Sequence, residues 1–155
     1  MKKKIYFILL SILLIGCSIK QIKRPKEWTV IDTGKRPFVN PFGRCNLTKR
    51  EIQLMPPVWL PKNFASKLIL NHELAHAWGL KGCKHMYCLM YEPEAAGHSD
   101  DNVFFEFLAK PFQLFYGFKL CPECRAKLEQ AIEYQREMEE KGKISRAVDV
   151  YEKVQ

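Results

Sequence analysis

A chain of 155 residues can build one hydrophobic core and is too short for two comfortable ones, so a single domain is expected. Its formal charge of +8 invites a nucleic-acid reading, but Lys2, Lys3 and Lys4 supply three of those charges and belong to a terminal segment of another kind. The remaining basic excess is scattered through Lys20 to Arg50 with no aromatic interleaving that reads as a stacking platform, which speaks against a nucleic-acid partner and for a basic surface near anionic headgroups.

The three lysines precede an apolar run from Ile5 to Ile15, which is signal-length and too short to span a bilayer. The run ends in Leu14-Ile15-Gly16-Cys17, which resembles the lipobox of bacterial lipoproteins, where cleavage before the cysteine is followed by its acylation. This resemblance implies a signal peptide over 1–16, a lipidated Cys17 and a short polar tether over 17–26. A single domain over 27–155 would then be a monomer held on a membrane surface outside the cytoplasm. Ser18 after the cysteine resembles sorting to the outer membrane in a cell that has two membranes.

Along the domain, Trp28 to Ile31 reads as a strand closed by the turn signal Asp32-Thr33-Gly34. Pro37, Pro41 and Gly43 predict an irregular stretch. Polar and apolar residues then alternate from Glu51 to Leu54, as suits a half-buried edge strand beside a cleft, stopped by Pro56 and Pro57. Residues 61–78 are predicted to form a helix, with Pro61 and Asn63 as start signals and Gly79 placed for a left-handed C-terminal turn. Leu68, Ile69, Leu70, Leu74, Ala75, Ala77 and Trp78 cover most of its circumference, as in the central helix of a domain. An ordered loop over 82–101 and a short aromatic helix over 102–109 follow. Phe112 to Phe118 reads as core packing, 122–140 as a long charged helix, and 144–154 as a shorter helix beyond Gly142.

Polar residues on so apolar a helix need a reason, and His72-Glu73-Leu74-Ala75-His76 supplies one. The run fits His-Glu-x-x-His within a predicted helix, the context that this motif requires. A spacing of four places both imidazoles on one face, one turn apart, where they can bind a single Zn²⁺. Glu73, beside the first histidine, is then the candidate general base for a zinc-activated water attacking a peptide bond.

Of the six cysteines, Cys83, Cys88, Cys121 and Cys124 form two close pairs, and Cys45 has no assigned role. An exported protein could join the pairs as disulfides. The Cys-Pro-Glu-Cys knuckle, and the position of the first pair directly after a zinc-binding helix, favour a four-cysteine zinc site. Such a site would supply stability that a small core lacks and would pin the loop after the helix.

Gly79, three residues after His76, matches the metzincin extension of the motif. Together with Cys83, Cys88, Met90, Cys121 and Cys124, it gives a spacing that resembles the archaemetzincin family from about Leu68 to Cys124. The resemblance implies an α+β, zincin-like domain with a mixed sheet, a central active-site helix and a C-terminal helical segment. It implies one catalytic and one structural zinc, Met90 as the methionine turn beneath the catalytic metal, and a peptide or protein substrate. The sequence departs from the family in two places. Position 82, where the family carries its third histidine, is glycine, and the stretch between Met90 and Cys121 is longer than usual. His85 is the expected replacement ligand, with His98 and Glu94 as fallbacks. Tyr87 and Tyr91 flank the methionine turn as packing residues. A zincin that has lost its third ligand and serves only partner binding is the alternative to a working peptidase.

Overall fold

The computed structural model describes residues 21–38, 42–97, 112, 113, 116 and 118–142. The signal segment, Cys17, His98 and the helices expected over 102–109 and 144–154 lie outside them. The described chain is α+β: strands β1 (Thr29–Asp32), β2 (Gly43–Asn46) and β3 (Glu51–Leu54), helix α1 (Lys62–Ala77), a 3₁₀ turn (Glu94–Ala96) and helix α2 (Pro122–Glu140).

The strands form a mixed sheet of order β1-β3-β2, with β3 parallel to β1 and antiparallel to β2. The alternation over Glu51 to Leu54 does what period-two patterning dictates, burying Ile52 and Leu54 on one face. The expectation that this is an edge strand is corrected. β3 is the centre of the sheet, because Gly43-Arg44-Cys45-Asn46, in a stretch read as irregular, pairs along it from Gly43↔Leu54 to Asn46↔Glu51. This four-residue strand opens on glycine and carries no hydrophobic alternation, so only its pairing reveals it.

Two apolar clusters lie on opposite sides of α1. Toward the sheet, Leu74 and Ala77 pack with Trp28, Ile52 and Leu54. Away from it, Phe64, Ala75 and Trp78 pack with Leu80, Leu89, Met90, the four paired cysteines and Leu128 and Ala131 of α2. Burial from both sides explains why the helix is apolar around most of its circumference. Its C-terminus is a Schellman turn: Leu80 N–H donates to Ala75 O (3.0 Å) and Gly79 N–H to His76 O (2.8 Å), with Gly79 at φ 88°. The segment before β1 is fastened to this helix from Ile22 onward. Ile22 N–H donates to Asn71 Oδ1 (2.9 Å) and the Trp78 indole N–H to Lys23 O (2.7 Å).

Candidate functional site

His72 and His76 face one another across a turn of α1, with their Nε2 atoms 3.0 Å apart. Each ring turns its other nitrogen to a main-chain oxygen, His72 Nδ1 to Leu89 O (2.9 Å) and His76 Nδ1 to Leu80 O (2.8 Å). A carbonyl can only accept, so both Nδ1 atoms carry the hydrogens, and in the neutral rings both Nε2 atoms present lone pairs. The turn that Gly79 permits is what brings Leu80 O to His76, and the turn at Leu89-Met90 brings the second carbonyl to His72.

Glu92 completes the group, its Oε1 lying 3.0 Å from His76 Nε2 and 3.7 Å from His72 Nε2. Three electron-pair donors converging in this way can share a cation, a proton or a metal ion. The titration of the metal-free residues reflects that demand. Burial opposes the charge of Glu92, but the two imidazoles beside it, with His76 at hydrogen-bond distance, outweigh it and hold the carboxyl at about 2. Burial likewise lowers His76, and the Glu92 hydrogen bond, the charges of Glu92 and Glu73 and the Leu80 carbonyl together raise it above the ordinary imidazole value. Glu73, only 7 % exposed, is displaced upward chiefly by burial, against the attraction of the two histidines. Its carboxylate lies against β2, where a Cβ on Gly43 would come within 2.5 Å of Oε1. The glycine that weakens β2 as a strand is the residue that makes room for Glu73.

The second group is the buried set Cys83, Cys88, Cys121 and Cys124, whose sulfurs all lie within 4.8 Å of one another. All four are free thiols, and the 3.7 Å from Cys83 Sγ to Cys121 Sγ is nearly twice a disulfide bond. Main-chain N–H groups of His85, Met90, Cys121 and Cys124 point at the sulfurs of Cys83, Cys88 and Cys121, an environment built for thiolate. Cys121 caps α2 and Pro122 occupies the first turn, so the knuckle sits at the positive end of the helix dipole. Hydrogen bonds donated by Cys124 and Cys88 pull Cys83 far below a normal thiol, while donating to Cys83 and Cys88 pushes Cys124 up.

The two groups, each able to hold a metal ion, share one loop. Cys83 N–H donates to Met90 O (2.7 Å) and Glu92 N–H to Cys83 O (3.1 Å), so residues 91 and 92 return alongside 82 and 83. Met90 is wholly buried in this loop, one residue beyond the carbonyl that orients His72.

The structure places His85 elsewhere. Its ring stacks on Tyr87 (5.4 Å between centroids) and its Nε2 lies 3.8 Å from Glu123 Oε2 on α2, outside the group formed by His72, His76 and Glu92. Cys88 closes the loop back toward Cys83 and carries His85 to the α2 side. Glu94 is exposed on the 3₁₀ turn and is not part of the group either. Glu92 escaped the sequence reading because a lone acid after Tyr91 has no motif spacing to His76. The available signal was the Cys83–Cys88 closure, which returns the chain to the position where a ligand was missing.

Cys45 stands apart from both groups, and burial first, then the nearby charge of Glu73, pushes its thiol up to about 12. Reactivity follows the thiolate, so the sign is toward inertness: at pH 8 only about one Cys45 in 10⁴ is ionised, against roughly one in four for a free cysteine. In a Cys17→Ser protein with the cysteine cluster metal-loaded, Cys45 is expected to resist a thiol-specific dye at pH 8 and to react quickly after denaturation. Rapid labelling of the folded protein would contradict the placement.

No model of a known protein family matches the chain, and neither a curated protein nor a solved structure matches it.

Proposed function

We propose that this protein is a zinc-dependent metallopeptidase of metzincin-like design, anchored to the outer face of a membrane through a lipidated Cys17. The observation that carries the reading is the convergence of His72, His76 and Glu92 on one point, with both imidazoles already turned and held by main-chain carbonyls. The three donor atoms are separated by 3.0, 3.0 and 3.7 Å. Edges of a zinc tetrahedron with ligands at about 2.0–2.1 Å measure about 3.3 Å, so the donor set fits. Zinc–sulfur bonds of about 2.3 Å imply sulfurs about 3.8 Å apart. The Cys83 to Cys121 separation of 3.7 Å meets that value, which supports a structural zinc at the four cysteines.

His72, His76 and Glu92 would hold the catalytic ion, leaving one tetrahedral position free as catalytic sites require. When bound there, zinc supplies Lewis-acid polarisation of a carbonyl and a water acidified to a pKa near 7. The protein's own contribution is Glu73. Its carboxyl, raised by burial, is a stronger base than an exposed glutamate and can take a proton from the attacking water. The same group, once protonated, is the donor to the amine that leaves. Gly43 keeps the space beside this carboxylate open, and the apolar packing of Leu74 and Ala77 on the sheet fixes the helix that carries it.

A Glu73→Gln variant tests this. It is expected to retain both zinc ions while losing peptidase activity on an unstructured peptide mixture by about 10²–10⁴-fold, as removal of a general base does. Equal cleavage by the variant, or no cleavage by zinc-loaded wild type, would sink the proposal and leave a metal-binding lipoprotein.

A further inference from the structure

Position 82 lacks a side chain, and the structure assigns a use to that absence. A Cβ built on Gly82 would lie 2.0 Å from Glu92 Oε2, 2.6 Å from its Cδ and 2.9 Å from its own Cβ. The volume into which a residue at 82 would project is therefore the volume that the Glu92 side chain fills on its way to His76. Contacts under 3.0 Å with all three parts of one side chain cannot be relieved by moving its tip alone. The two positions are held side by side by the hydrogen bonds joining Cys83 to Met90 and Glu92 to Cys83, so neither can retreat independently.

We propose that Gly82 is a positioning residue of the metal centre. By carrying no side chain it admits Glu92 as third donor, and the centre is thereby built from two imidazoles and a carboxylate instead of three imidazoles. The pair works as a unit: a side chain at 82 and a carboxylate from 92 cannot occupy the same approach to His72 and His76. Glu92 brings a negative charge that a third imidazole would not, so the site suits a divalent ion accepting mixed nitrogen and oxygen donors, of which Zn²⁺ is the leading case. The inference rests on the proposal that His72 and His76 bind metal, and its test separates the two.

Zinc stoichiometry and affinity are to be measured by competition with a chromophoric chelator for wild type, Gly82→Ala and Glu92→Gln, with melting curves to check folding. Wild type is expected to take two zinc ions. Glu92→Gln, nearly isosteric, should keep the cysteine-held ion and bind the second more weakly by over about 100-fold, beyond the usual effect of removing an outer partner of a ligand. Gly82→Ala should keep the cysteine-held ion too and weaken the second by about tenfold or more, although every donor is still present, because the carboxylate is forced from its rotamer. Unaltered second-site affinity in Gly82→Ala overturns the positioning role, and unaltered affinity in Glu92→Gln overturns the ligand assignment. A wild type that binds only the cysteine-held ion would instead remove the premise in His72 and His76.

Discussion

With zinc at the two groups as proposed, replacing Cys121 by serine is expected to cost the protein both ions and most of its stability. Structural zinc contributes about 10–16 kcal/mol of binding free energy in small domains, as much as the total stability of about 5–15 kcal/mol that ordinary domains possess. The four sulfurs replace core here, since Cys83, Cys88, Cys121 and Cys124 sit within the apolar cluster between α1 and α2. Their loss also reaches the histidines, because the loop from Cys83 to Glu92 carries Glu92 and the Leu89 carbonyl as well as two of the cysteines. A fall in melting temperature of more than about 15 °C, with zinc falling from two ions toward none, is the expected result. Cys45→Ser, in a residue outside the cluster, should change the metal count not at all. An unchanged melting temperature and full zinc content in Cys121→Ser would show that the loop holds its shape without the cluster.

The second large effect is expected at Trp78. Its side chain is buried against Phe64, Leu80 and the cysteine cluster, and its indole N–H is donated to Lys23 O. Trp78→Ala removes both, and truncation of a buried tryptophan costs about 3–5 kcal/mol. The loss should also loosen the segment before β1, where the Ile22–Asn71 hydrogen bond would remain as a tie to α1. Urea titration should register the destabilisation. Trypsin under native conditions should cut after Lys23 faster in the variant than in wild type, the Arg24–Pro25 bond being resistant to the enzyme, whereas cutting at the wild-type rate would mean that the segment is held by other contacts.

What could be read from the residues was the part written in local patterns. The helix over Lys62–Ala77, its end at Gly79, the helix over Pro122–Glu140 and the burial of Ile52 and Leu54 all follow from periodicity and capping. So did the pairing of His72 with His76 and the grouping of the four cysteines, whose spacings are fixed by helix geometry and by the knuckle. The rest depended on contacts between segments with no shared period. β2 exists because β3 offers it an edge. The third member of the histidine group comes from ten residues past Gly82, by a loop closure that spacing does not encode, and the bonds of Ile22 and Lys23 to Asn71 and Trp78 join segments 49 and 55 residues apart.

The two carbonyls that hold the imidazoles have a consequence for how the protein can vary. Ring orientation at a metal site is often entrusted to a carboxylate side chain, which a single substitution removes. Here it is entrusted to the peptide groups of Leu80 and Leu89, whose own side chains only pack in the core. Any apolar residue that fits should serve at either position, so mutational tolerance at 80 and 89 should be high. Intolerance is concentrated instead at Gly79, the residue whose backbone aims the first of those carbonyls.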